Sequence, residues 1–239
     1  MGFVDCHSHV VPSGDDGVKS AGEGAALCRE AARRGTGILF ATPHVWPDLP
    51  LTARREEQIR AAVADIRPQA GLELRLGFEL TPSTALLDED PRRYALEGLD
   101  AVLMEVPFVG RSEPLFALAE HVESAGLRPI VAHPERAEAV LAEPELTDRL
   151  AEHGWLIQVN ATSLLGRHGA DPETLAWTLV EHGDASIVAS DGHRPTRPPH
   201  LDAAYTAVFE RIGERARALF DGSALGLSPA ARAAAAAGG

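Results

Sequence analysis

A chain of 239 residues with 45% hydrophobic content can bury one large core, and its net charge of −13 argues against a nucleic-acid partner and against an anionic membrane surface. Two cysteines, Cys6 and Cys28, offer neither a disulfide framework nor zinc spacing, which fits a reducing compartment. No signal peptide, lipidation motif or long apolar run stands in the sequence, so a soluble, cytoplasmic protein without membrane insertion is expected.

Short β-branched runs alternate with helical patterns from end to end. The first strand, "GFVDCHSH", puts His7 and His9 on one side of the chain and Cys6 and Ser8 on the other. Asp5 shares the side of the histidines and is read as a partner that fixes an imidazole tautomer rather than as a ligand. "SGDDG" is a turn by composition, but beside the histidine pair its Asp16 becomes a candidate metal ligand. Helical periodicity over Gly22–Arg34 leads to "GILFATPH", where the proline disfavours helix before His44. "VWPDLPL" then places Trp46 near that strand end, able to stack on a substrate ring. The strands "LELRLGFEL" and "AVLMEVP" carry Glu79 and Glu105, and a carboxylate inside an apolar strand is costly unless paired or metal-bound. A second helical stretch, Ser112–Ser124, precedes "RPIVAHPE", with His133 at its end and Arg136 two residues past the proline. "WLIQVNA" ends in Asn160, and "ASIVASDGH" in Asp191 and His193. His153-Gly154 and His182-Gly183 read as helix ends.

Such alternation implies an α/β protein with a parallel sheet, and roughly seven units suggest a closed TIM-like barrel one unit short of the usual eight. No boundary divides residues 1–227, and the low-complexity stretch 228–239, "SPAARAAAAAGG", is expected to be a disordered tail. The strand C-termini then carry His7, His9, His44, Glu79, Glu105, His133, Asn160, Asp191 and His193, at the end where barrel enzymes do their chemistry. Histidines and carboxylates with few soft donors suit Mn, Fe or Zn, and about nine candidate ligands suit two or three ions. Such a centre activates water and clamps the oxygens of a phosphoryl displacement, with Arg136 and Arg197 as phosphate clamps. His121, His153 and His182 fall on helices and are read as surface or helix-end residues, while His168 and His200 lie in loops and stay undecided, with a role outside the centre favoured. "CREAARR" from Cys28 to Arg34 has the spacing of a cysteine phosphatase, but lies within a helix and lacks the amide cradle that chemistry needs. The single lysine, Lys19, stands in the wrong place for the carbamylated bridge of dinuclear amidohydrolases.

The pieces "DCHSHVVPSGDDG", "ATPH", "GFEL", "MEVP", "AHPER", "ASDGH" and "TRPP", in this order across nearly the whole chain, resemble the polymerase-and-histidinol-phosphatase (PHP) superfamily. Within it the closest likeness is to bacterial capsule- and exopolysaccharide-associated manganese-dependent protein-tyrosine phosphatases. The resemblance implies a distorted (β/α)7 barrel and a trinuclear centre with His7, His9, Asp16, His44, Glu79, Glu105, His133, Asp191 and His193 as ligands. It implies metal-hydroxide attack on a phosphomonoester held by Arg136 and Arg197, the substrate being a phosphotyrosine protein such as a tyrosine autokinase. Two other readings share the motifs: a phosphatase for a small phosphomonoester such as histidinol phosphate, and a non-catalytic kinase-binding partner. Val45 stands where the family often has a second histidine, and "DGSALGL" where it often has Asn-Pro.

Overall fold

The computed structural model describes residues 2–107, 112–143 and 145–227; the expected tail at 228–239 lies outside them. Among the described residues, nine short strands fall into two all-parallel sheets. The strands are β1 (Phe3–Asp5), β2 (Thr36–Ala41), β3 (His44–Val45), β4 (Glu73–Leu76), β5 (Glu79–Leu80), β6 (Ala101–Glu105), β7 (Arg128–Ala132), β8 (Leu156–Asn160) and β9 (Ile187–Ala189). One sheet has the order β1-β2-β4 and the other β3-β5-β6-β7-β8-β9. Two of the strands expected from sequence are therefore interrupted. "GILFATPH" divides at Thr42-Pro43, where proline brings no N–H to the ladder, and "LELRLGFEL" divides at Gly77-Phe78. The first strand is also shorter than expected, ending at Asp5 before either histidine.

The two sheets meet at both margins. Gly77 N–H donates to Ala41 O at 2.9 Å, joining the broken strands. At the other margin Asp191 N–H donates to His7 O at 2.9 Å, His9 N–H donates to Gly192 O at 2.7 Å, and Ser8 forms a parallel bridge with Gly192. The chain just past the first strand is thus bonded to the chain just past the last.

Between the strands run α1 (Ala21–Arg33), α2 (Ala53–Ile66), α3 (Glu113–Ser124), α4 (Glu138–Ala142), α5 (Glu145–Glu152), α6 (Ala161–Leu164), α7 (Ala170–His182), α8 (Asp202–Ile212) and α9 (Ala216–Phe220). α1 starts where its sequence says it should: Ser20 Oγ accepts from Glu23 N–H while Glu23 Oε2 accepts from Lys19 N–H, a variant of the capping box. α7 ends on Gly183 at φ +91°, the left-handed conformation glycine adopts without penalty.

Apolar residues sort by strand face. Val4, Ile38, Phe40, Ala101, Leu103, Ile130, Ala132, Ile187 and Ala189 pack into one buried cluster, so successive strands present a common face to one interior. The opposite faces (Leu39, Val102, Met104, Val131, Ile157, Val188) pack against helices in a larger cluster. Burying each such side chain contributes about 1.5–3 kcal/mol. The period of 2 then does the positioning: continuing the interior face toward the C-terminal ends reaches Glu105 after Leu103 and Asp191 after Ala189. Polar residues occupy that end of the interior.

Candidate metal centre

At the C-terminal end of the strands, buried imidazoles and carboxylates crowd round Glu79. Its Oε2 lies 3.1 Å from His7 Nε2, 3.3 Å from His9 Nε2 and 2.9 Å from His44 Nδ1, while its Oε1 lies 3.0 Å from His133 Nε2. Asp191 Oδ1 lies 3.5 Å from both His7 Nε2 and His9 Nε2. On the outer side, Asp16 Oδ1 is 3.3 Å from His193 Nε2 and 3.6 Å from His44 Nε2. All of the predicted ligands come together here. They form four overlapping groups whose donor atoms lie within 4.8 Å of one another. These are His9, Asp16, His44 and His193; His7, His9 and Glu79; His7, His133 and Asp191; and Glu79, Glu105 and His133.

The cluster suits cations better than itself. Glu79 Oε2, Glu105 Oε2, His9 Nδ1 and His44 Nδ1 are buried without a well-aligned hydrogen bond among the described residues, even where Glu79 Oε2 and His44 Nδ1 approach to 2.9 Å. Leaving such atoms unmet is costly, and a bound divalent ion is the partner that carboxylate and imidazole donors share. The charge states agree. Burial pushes Glu105 up to about 8, helped by the neighbouring Glu79 carboxylate. Glu79 is also raised by burial, but His7 and His44 outweigh this and hold it well below the usual carboxylate range. Burial lowers His133 to about 4, favouring the neutral imidazole that ligates metals.

A cavity of about 310 Å³ opens over the cluster, walled by Trp46, Arg136 and Arg197 among others. Both guanidinium groups reach Asp191 Oδ2, Arg136 Nη1 at 2.7 Å and Arg197 through Nη2. Trp46 already stacks on a candidate ligand: its ring centroid is 4.5 Å from that of His44, at 28°. Two of the candidate ligands sit on strained backbone. His133 (φ 35°) and Asp191 (φ 52°) are the only non-glycine residues with positive φ among the described residues.

The surrounding residues revise the sequence reading in three places. Asp5 fixes no imidazole tautomer; its Oδ1 accepts from the backbone N–H of His7 at 3.3 Å and of Ser190 at 3.1 Å, stapling the first strand to the last. Asn160, although at a strand end, falls in none of the ligand groups and donates to Asp191 Oδ2 at 2.8 Å. Asp15 was passed over for Asp16, yet it is the buried member of the pair. It accepts from His44 N–H at 3.0 Å and from Gly17 N–H at 3.0 Å, and lies 3.7 Å from His9 Nδ1.

Arg55 on α2 went unread altogether. Its guanidinium donates to Ser13 O at 2.9 Å, Leu49 O at 2.8 Å and His44 O at 2.8 Å, tying together the segments that carry Asp16, Trp46 and His44. Of the remaining histidines, His121 Nε2 meets Glu89 O and His200 pairs with Glu30, while His168, in none of the donor groups, meets Ser163 Oγ at 2.9 Å and is lowered to about 4 by burial and by the nearby charges of Arg136 and Arg197. Cys28 is buried in α1, where burial pushes its thiol up to about 12 and leaves it unreactive.

Comparison with known proteins agrees with this geometry. A family model described as capsular polysaccharide synthesis, CpsB/CapC, matches residues 3–222. Tyrosine-protein phosphatase YwqE of Bacillus subtilis (strain 168) is 29% identical over 224 residues, spanning 88% of this chain and 85% of its own length. Tyrosine-protein phosphatase CpsB of Streptococcus agalactiae serotype V is 27% identical over 233 residues, spanning 91% of this chain and 95% of its own. A crystal structure from work on YwqE of B. subtilis and CpsB of Streptococcus pneumoniae, described as unique metal-dependent tyrosine phosphatases, superposes with a TM-score of 0.78 at 25% identity, covering 96% of this chain and 93% of that one. With a match that runs from the first strand to beyond the last donor residue, the chain belongs to the CpsB/CapC family of capsular polysaccharide synthesis.

Proposed function

We propose that this chain is a metal-dependent protein-tyrosine phosphatase of a capsule or exopolysaccharide regulatory system, acting in the cytoplasm on a phosphotyrosine protein such as a tyrosine autokinase. The fold reading is a single domain over residues 1–227, a distorted (β/α)7 barrel of the PHP type. The bonds between the His7–His9 segment and Asp191-Gly192, together with the seven strand positions left when the two interruptions are bridged, support that reading.

The observation that carries the function is the juxtaposition of overlapping donor groups with two arginines over one cavity. His7, His9, Asp16, His44, Glu79, Glu105, His133, Asp191 and His193 would hold two or three divalent ions, Mn2+ first and Fe2+ or Zn2+ as alternatives. When bound, such ions supply Lewis acidity to phosphoryl oxygens and a nucleophilic water at neutral pH.

The chain's own groups do the rest. Arg136 and Arg197 line the cavity and would take the phosphoryl oxygens with charge-assisted hydrogen bonds, while Asp191 holds both guanidinium groups in place. Trp46, half-buried at the cavity wall, offers aromatic surface to a tyrosyl ring. A phenolic leaving group of pKa ≈ 10 departs with less help from a general acid than an alkoxide would need.

The test is turnover of p-nitrophenyl phosphate and a phosphotyrosine peptide, with and without Mn2+, beside the His133→Ala variant. Metal-dependent hydrolysis of the peptide, lost in the variant, supports the proposal. Silence on aryl esters with strong turnover of histidinol phosphate would replace the tyrosine assignment by that of a small-metabolite phosphatase.

A further inference from the structure

β8 lies between two strands that carry donors, yet contributes none itself. Its inward positions are instead two amides. Gln158 and Asn160 are both fully buried, and they form an unbroken chain of hydrogen bonds between His7 and Asp191. His7 Nδ1 lies 2.9 Å from Gln158 Oε1, Gln158 Nε2 donates to Asn160 Oδ1 at 2.9 Å, and Asn160 Nδ2 donates to Asp191 Oδ2 at 2.8 Å.

The polarity of this chain is fixed from one end. The ionised carboxylate of Asp191 can only accept, so Asn160 must present its NH2 there and its carbonyl oxygen to Gln158. Gln158 must then present its NH2 to Asn160 and its carbonyl oxygen to His7. An oxygen facing His7 Nδ1 requires a proton on Nδ1, so the neutral imidazole that a metal would engage carries its lone pair on Nε2. That nitrogen is the one aimed at the cluster, 3.1 Å from Glu79 and 3.5 Å from Asp191. Reversing either amide would set carbonyl against carbonyl or carbonyl against carboxylate inside the protein.

We infer that Gln158 and Asn160 are positioning residues for the metal centre, relaying the charge of Asp191 into the tautomer of His7 and so fixing two donors on different strands as one unit. The inference rests on the metal-centre reading above. Removing a hydrogen-bond partner behind a metal ligand typically weakens metal binding about 10- to 100-fold.

The test is calorimetric titration of Mn2+ into the metal-stripped full chain, wild type beside Gln158→Met and Asn160→Asp. Methionine fills the glutamine's volume but neither donates nor accepts like an amide. Asn160→Asp sets one carboxylate against another. Both variants are expected to bind Mn2+ about 10- to 100-fold more weakly. In histidine-labelled protein loaded with diamagnetic Zn2+, the ring N–H of His7 is expected to be protected from exchange in the wild type and to lose that protection in Gln158→Met. Affinity within twofold of wild type in both variants, or in Asn160→Asp alone should Gln158→Met fail to fold, would overturn the inference while leaving the metal centre standing. A wild type that takes up neither Mn2+ nor Zn2+ would overturn the metal centre itself, and this inference with it.

Discussion

Asp191 Oδ2 accepts from Asn160, Arg136 and Arg197 at once, so the two arginines are aligned before any substrate arrives. Removing one such preorganised donor typically costs about 10²–10³ in rate. Arg136→Ala and Arg197→Ala are each expected to lower kcat/KM for a phosphotyrosine peptide by about that factor, with lysine restoring little because an ammonium lacks the fork. Steady-state kinetics beside a Mn2+ titration checks this, since metal affinity should move far less than turnover. The left-handed backbone of His133 gives a second expectation. A non-glycine residue there costs about 1–2 kcal/mol, so the metal-free His133→Gly protein should melt a few degrees above metal-free His133→Ala. Scanning calorimetry of the two variants decides it. At this scale the candidate donors other than Asp16 were legible because each is a titratable group where a strand runs out of apolar residues. Asp15 was not, because adjacent aspartates in one turn look alike in sequence, and only the fold turns one inward. Gln158 was hidden differently: an amide within an apolar strand reads as an exception until its partner two residues on is known to share its face.

At the scale of elements, Arg55 links α2 to three backbone carbonyls, those of Ser13, Leu49 and His44. Truncating it to alanine should cost about 3 kcal/mol, since each buried carbonyl left unmet costs about 1–3 kcal/mol and some will find water. For a domain of this size that lowers Tm by about 6–12 °C. Arg55→Lys should recover little of it, because one ammonium cannot span the fork. Thermal melts of the metal-free variants test both. α1 is seated just as closely: a Cβ at Gly24 would meet Val10 O at 2.1 Å, so Gly24→Ala must push the helix off the segment that follows the histidine pair. Nothing in "TARREEQ" or "GEGAAL" distinguishes these positions from solvent-facing neighbours. The strand–helix alternation was legible because period and turn chemistry are local. The breaks at Thr42-Pro43 and Gly77-Phe78 were not, because each lies inside a run that reads as one strand, and backbone bonds such as Gly77 N–H to Ala41 O still cross them.

For the molecule as a whole, the donors converge from nearly every strand, so bound metal should act as a brace between them. At 100 times its Kd, a ligand confined to the native state stabilises it by about 2.7 kcal/mol, which corresponds to a rise in Tm of about 5–10 °C here. Chelation followed by readdition of Mn2+, monitored by calorimetry, should lose and then regain that increment. The net charge of −13 was the least informative feature of the sequence, because the surface it describes is not the lining of the cavity, where arginines gather. The bonds that join His7 and His9 to Asp191 and Gly192 carry a consequence for how the protein is made. They link two segments far apart in sequence, residues 7–9 and residues 191–192. Until the second has been made the histidine pair has no such partner, and pairings of long sequence separation are slow to close. Any product ending before residue 191 lacks this closure, and with it Asp191 and His193.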